Sequence, residues 1–163
     1  MRKIYNIKEL TKLLSYISMG EGGLYRDNTT NYKFIMNMKK DNEDYIDYCI
    51  DILNNIVSVK KYDRKDYNTD ESNKKAQIRI ESKVHPMLTI IHDRIYIDKY
   101  KGLDPHTLKL LDWESLAILF MSDGNNCFKG KYKSQCITLN IKRLSYGDQF
   151  LLKKVLKENL DLE

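Results

Sequence analysis

The sequence predicts an α+β fold built from two copies of one helix–hairpin–helix unit. Two observations predict it. An apolar, helix-like stretch ending in acid-Gly occurs twice, at residues 10–22 and 112–124. Each copy is followed in the same order by strand-like residues and then by a capped helix. Self-similarity carried by order as well as composition marks a pseudo-symmetric architecture.

The elements follow from local pattern. The first motif reads Leu-Thr-Lys-Leu-Leu-Ser-Tyr-Ile-Ser-Met-Gly-Glu-Gly and the second Asp-Trp-Glu-Ser-Leu-Ala-Ile-Leu-Phe-Met-Ser-Asp-Gly. After the first, Tyr32–Lys39 is strand-like, and Asp41-Asn42-Glu43-Asp44 opens a helix with an Asp cap. Its apolar residues Tyr45, Ile46, Cys49, Ile50 and Leu53 keep helical spacing. After the second, residues 135–142 are strand-like, and Ser145 caps a helix bearing Phe150, Leu151, Val155 and Leu156. The first half continues with strands at 57–62 and 76–82, flanking a polar loop at 63–75, then a helix from about His85 to Tyr96 and a connector at 98–106. The second half shows no such continuation before Glu163. The expected repeats are therefore residues 1–103 and 104–163, the second incomplete by two strands and a helix.

Composition bounds the function. A hydrophobic fraction of 42% supports a core, and 31% charged residues suit a soluble surface. The net charge of +5 permits a phosphate-backbone partner without requiring one. No run of 18 apolar residues exists and the N-terminus opens no apolar stretch, so neither a membrane span nor a signal peptide is expected. Cys49, Cys127 and Cys136 form no CxxC pair, which argues against a zinc site or a disulfide framework and for a reducing, intracellular location. Abundant Asn, Lys, Ile and Tyr suit AT-rich coding DNA, as in some phages and organelles.

A helix that ends in a carboxylate sets it against the negative end of the macrodipole, at a cost of tenths of a kcal/mol up to about 1. A metal cation justifies that placement. Gly22 and Gly124 are expected to end their helices through a left-handed cap. Small residues upstream (Ser15, Ser18 and Gly20; Ser115, Ala117 and Ser122) would let the two helices cross closely. Two helices that end together set Glu21 and Asp123 side by side, and paired carboxylates with phosphate oxygens and water suit Mg²⁺. A single such helix would be ordinary core; it is the second copy, in the same context, that argues for chemistry.

The second motif, Leu116-Ala117-Ile118-Leu119-Phe120-Met121-Ser122-Asp123-Gly124, resembles the "LAxWFMDDG" variant of the LAGLIDADG motif. Lys83-Val84-His85-Pro86-Met87-Leu88, Tyr96 to Tyr100 and Leu110-Leu111-Asp112 resemble the linker of intron- and phage-type LAGLIDADG DNA endonucleases. The resemblance implies αββαββα repeats whose motif helices form the shared interface, with curved antiparallel sheets astride double-stranded DNA. It implies cleavage of both strands with Mg²⁺. Carried over by position, Glu21 and Asp123 match the metal-binding acids, and Lys83 matches the basic residue near the reacting phosphate or is a solvated surface lysine. Glu21 departs from the commoner Asp. Asn37 and Asn140 are candidates for the polar residue that positions water.

The resemblance puts DNA contacts on the strands. Arg26, Lys33, Asn37 and Lys39 belong to the first hairpin; Lys60, Lys61, Arg64, Gln77 and Arg79 to the second; Asn140 and Lys142 to the second repeat. Only one face of each strand can meet DNA, and a solvated charged face is the plainer reading of the lysines. His85, His92 and His106 lack ligand spacing and are expected to be structural, and Trp113 is expected in the core. The expected function is a site-specific double-strand DNA endonuclease acting in a phage-infected bacterial cytoplasm or an organelle matrix. A catalytically inactive binding subunit of a larger assembly, or an intron RNA maturase, is the alternative. A partner chain or downstream segment would complete the second repeat.

Overall fold

The first half of the chain alternates helices and hairpins, as its pattern dictates. The computed structural model describes residues 5–27, 30–64, 76–97, 100–129, 134–140 and 144–162. Helix α1 (Ile7–Met19) starts at a reciprocal cap in which the Asn6 side chain accepts from the Glu9 amide and the Glu9 carboxylate accepts from the Asn6 amide. Strands β1 (Gly23–Arg26) and β2 (Tyr32–Lys39) form a hairpin, followed by a 3-10 turn at Lys40–Asn42 and α2 (Glu43–Leu53). Strands β3 (Val59–Arg64) and β4 (Gln77–Ser82) precede α3 (Pro86–Ile95), whose N-terminus is capped by the His85 ring accepting from the Met87 amide.

The four strands form one antiparallel sheet in the order β1-β2-β4-β3. Alternation assigns its faces. Phe34, Met36 and Met38 of β2 and Ile78 and Ile80 of β4 are buried, in one core with Leu13, Leu14 and Ile17 of α1, Ile46, Ile52 and Leu53 of α2 and Leu88 and Ile91 of α3. The helices thus cover one face and leave the other outward. Strand β3 begins at Val59 rather than 57, because the Val57 amide donates to Leu53 O at the end of α2 (2.9 Å). On α2 it is Ile52, not Ile50, that is fully buried with Tyr45, Ile46, Cys49 and Leu53.

The connector expected at 98–106 is more structured than its sequence suggests. Strands β5 (Tyr96–Ile97) and β6 (Tyr100–Lys101) make a small ribbon. A one-turn helix, α4 (Pro105–Leu108), follows under an Asp104 cap that accepts from the His106 and Thr107 amides.

The second half repeats the opening order with α5 (Trp113–Asp123), the hairpin β7 (Gly124–Lys129) and β8 (Ser134–Leu139), and α6 (Tyr146–Leu160) behind its expected Ser145 cap. Cys127 and Cys136 are backbone partners in the β7–β8 register, a pairing their separation in sequence does not reveal. Among the described residues the fit of this half is looser. Trp113, expected in the core, is 62% exposed, and Phe150 of α6 is 74% exposed. Ala117 is exposed as well, so the close-packed face of α5 is carried by Ser115, Ile118 and Ser122. Most of the polar loop expected at 63–75 lies outside the described residues. Among those described, no helix is long and apolar enough to cross a membrane.

Candidate active site and outer sheet face

The two motif helices are joined at both ends. At their start, Lys12 Nζ of α1 meets Asp112 Oδ2 at 2.5 Å, while Asp112 Oδ1 caps α5 by accepting from the Ser115 amide and hydroxyl. From α2, the Tyr48 hydroxyl donates to Glu114 Oε1 (3.1 Å). At the other end, Gly20 lies so close to α5 that a Cβ there would overlap the Ser122 side chain. The Tyr45 hydroxyl of α2 hydrogen-bonds Ser122 Oγ at 2.9 Å and fixes that side of the contact. Burial raises the Tyr45 phenol well above its ordinary value, which keeps it a neutral hydroxyl.

Gly20 and Ser122 are matched positions in the two motifs, each immediately before its acid. Glu21 follows α1 and is exposed, and Asp123 is the last residue of α5. The glycines after the acids do not work as expected. Gly22 is not in the left-handed region, and Gly124 caps α5 in extended backbone at φ −81°. What Gly22 and Gly124 supply is room. A Cβ on Gly22 would enter the Phe34 ring, and one on Gly124 would enter the Phe120 ring and meet its carbonyl.

A lysine that sequence reasoning missed completes this end. Lys101 of β6 donates through Nζ to Gly20 O (2.7 Å) and Gly22 O (2.5 Å), the two carbonyls that bracket Glu21. Helix α1 has no basic residue in its last turn, so Lys101 supplies the cation that satisfies its carbonyl end. Lys83 is the basic residue expected from the sequence. It is exposed beyond β4, and its amide donates to Ser58 O (3.1 Å). A groove of about 380 Å³ lined by Ile7, Met87, Ile90 and Leu110 lies at the start of α1, at the opposite end of the helix from Glu21.

Asp112 and Asp104 predict an acid limb of stability. Burial pushes the Asp112 carboxyl up, but the Lys12 ammonium and the Ser115 amide and hydroxyl outweigh it and hold the group below its ordinary value. Burial likewise opposes, and the Thr107 hydroxyl, the His106 and Thr107 amides and the Arg94 charge outweigh, at Asp104. A depressed folded pKa stabilises above the unfolded value and is lost as pH falls through the folded one. The thermal midpoint should therefore drop as pH falls below about 4. Asp112→Asn keeps a capping side chain but leaves Lys12 unpaired. Calorimetry at neutral pH should show a loss of about 1–3 kcal/mol, toward the low end because Asp112 is half exposed, with a flatter acid limb. An acid limb unchanged in that variant would remove Asp112 as its source.

The outer face of the four-stranded sheet collects most of the expected DNA-contact positions. Register aligns Tyr25 with Lys33; Ile35 with Glu81 and Lys60; Asn37 with Arg79 and Tyr62; and Lys39 with Gln77 and Arg64. Lys33 bonds both Asp27 and Glu81 at 2.7 Å, which raises its pKa, the Asp27 bond most strongly. Two expected residues fall on the other face. Lys61 pairs in register with Ile80, toward the helices, and its ammonium is held by Glu43 (2.7 Å) and Asp47 (2.8 Å) of α2. Arg26 pairs with Tyr32 on the side of Leu24 and Phe34. Asn140 is exposed just after β8, and Lys142 lies outside the described residues.

The donor set can be weighed for a divalent cation. Among the described residues no group of three or more His, Cys, Asp or Glu side chains converges. Mg²⁺ ordinarily takes one or two carboxylates together with substrate phosphates and water. Glu21 and Asp123, which follow and end adjacent helices, are residues of the type that such a site uses.

Known proteins agree with this architecture. A family model described as the LAGLIDADG DNA endonuclease family matches residues 17–163. No curated protein matches the chain. Among solved structures, that of the homing endonuclease I-WcaI bound to its DNA recognition sequence superposes with a TM-score of 0.74 at 19% identity, over 99% of this chain and 72% of that one. At that identity the likeness concerns the fold, and it extends over both halves. The length and position of the family match, which includes both acid-Gly ends, carry the conclusion: this chain is a member of the LAGLIDADG DNA endonuclease family.

Proposed function

We propose that the protein is a site-specific endonuclease that cuts both strands of duplex DNA, with its two repeats, residues 1–103 and 104–163, meeting at the α1–α5 crossing. One observation carries the reading: Gly20 and Ser122, matched positions in the two motifs, are in contact, so the next residues, Glu21 and Asp123, leave the same end of one helix pair. Glu21 and Asp123 would hold Mg²⁺, which when bound supplies Lewis-acid polarisation of the phosphate and a more acidic attacking water. The chain's own part is positioning. The helix ends set where the two acids leave the backbone, and the Lys101 ammonium, held by the carbonyls on either side of Glu21, would add positive charge at that end.

Outward cations on the first sheet suit a phosphate backbone, and the DNA-bound relative supports duplex DNA as the partner. The interface we propose uses Lys33, Asn37, Lys39, Lys60, Arg64, Gln77 and Arg79, leaving Lys61 and Arg26 to the helix-side face. On the second repeat, Asn140 and Lys142 would extend it. A partner chain or a further segment would add strands beside β7–β8. The protein would act where its target DNA lies, in a bacterial cytoplasm or an organelle matrix.

The test is cleavage of a plasmid carrying the host locus. With Mg²⁺ the plasmid should be linearised at one position, and EDTA should stop the reaction. Retained, sequence-selective binding without cutting in any divalent metal would instead identify a binding subunit of the same fold.

A further inference from the structure

The outer sheet face holds one feature that a simple phosphate-binding surface does not need. Glu81 sits amid cations, and both of its oxygens are engaged: Oε1 accepts from Lys33 Nζ (2.7 Å) and Oε2 from Arg79 Nη2 (3.2 Å). Lys33 continues the chain to Asp27 at 2.7 Å. The result is a ladder, Asp27–Lys33–Glu81–Arg79, running from the residue after β1 across β2 to β4. A carboxylate facing DNA weakens binding to a polyanion. What it does provide is a fixed direction for two long side chains that would otherwise sample many rotamers.

Arg79 gains most from that direction. It lies on β4, an inner strand, in the cross-strand row Asn37–Arg79–Tyr62. Its side chain is 32% exposed, against 25% for Glu81, so the carboxylate is the deeper member of the pair. One of the five guanidinium N–H groups faces Glu81, which leaves donors for an outside acceptor pair. A planar guanidinium fork can match a phosphate or the guanine O6 and N7 pair, but Arg79 is held on an inner strand, between β2 and β3, and only a base edge would turn a fixed direction into sequence preference.

Resting on the DNA-binding reading above, we infer that Arg79 reads a guanine edge in the target and that Glu81 is its positioning residue. Glu81 sets sequence preference at one base pair while lowering affinity for DNA in general.

The experiment is selection from a library of randomised duplexes with the full chain, in EDTA so that no strand is cut, alongside titration of a duplex of unrelated sequence. The wild-type motif should contain a G·C pair that Arg79→Lys relaxes, with discrimination falling about 5- to 150-fold at that position alone. Arg79→Lys keeps the charge, so any loss of binding to the unrelated duplex should be small beside the loss of discrimination at that position. Glu81→Gln should relax the same position by several-fold while binding the unrelated duplex as tightly as wild type or more so. An unchanged motif in Glu81→Gln, with all sequences bound more tightly, would reduce Glu81 to a mere repulsive charge and overturn its positioning role. An unchanged motif in Arg79→Lys would remove Arg79 as the reader. If the wild type enriches no motif, the DNA-reading face itself falls, an outcome distinct from either of these.

Discussion

Asp123→Asn should leave the fold intact and slow plasmid cleavage by about a thousandfold or more. The magnitude follows from what the carboxylate is proposed to hold. Metal stabilisation of transition-state charge is worth several kcal/mol, and each 1.36 kcal/mol is a factor of ten in rate. Asn is nearly isosteric but has no charge for the cation. The same change predicts a second sign. Asp123 ends α5, where a negative charge opposes the helix dipole. Removing it should raise stability by a few tenths of a kcal/mol, up to about 1. Loss of cutting with an unchanged or higher thermal midpoint is therefore the signature of a residue retained for chemistry. Cleavage at the wild-type rate would remove Asp123 from the site; lost cleavage with a lower midpoint would make it structural.

The second large effect lies at the crossing itself. Gly20→Val should destabilise the protein by about 1–3 kcal/mol, since its side chain must displace Ser122 at a contact with no spare room. At this chain length that lowers the thermal midpoint by roughly 2–12 °C. Cleavage should fall further than stability does, because separating the helices separates Glu21 from Asp123. The swap Gly20→Ala with Ser122→Gly moves the small residue to the other helix. It should recover much of the loss caused by Gly20→Ala alone, apart from the Tyr45 hydrogen bond to Ser122. Additive effects in that cycle would show that the two positions do not touch in solution.

Much of the fold is legible in the sequence because caps and periodicity are local. Ser145 announces α6, whereas α2 starts at Asn42 with no side-chain cap bond, not under the expected Asp cap, and is legible only by its periodicity; alternation in Tyr32–Lys39 and Gln77–Ser82 sorts the sheet's two faces. The ribbon of Tyr96–Ile97 with Tyr100–Lys101 is too short to show a period of two. Strand β3, Val-Lys-Lys-Tyr-Asp-Arg, has too few apolar residues to assign its own faces, so only its register with β4 separates Lys60 from Lys61. The motif acids are visible through repetition. Lys101 is not, since its place against Gly20 and Gly22 is a tertiary contact between distant segments. The glycines were recognisable but their reason was not: crowding by Phe34, Phe120 and Ser122 is a fact of packing.

The helix crossing and the outer strands are separate parts of the molecule, and they are tuned separately. On the proposed reading, the offset between the two cuts is fixed by the close approach of Gly20 to the Ser122 side chain, where a larger residue at position 20 does not fit. Recognition is written on solvent-facing rows such as Asn37–Arg79–Tyr62, where side chains can change without disturbing the core. A lineage could therefore follow a drifting target by altering its strands one residue at a time, while every descendant inherits the same spacing of breaks and leaves ends of the same shape for the cell's repair enzymes to join.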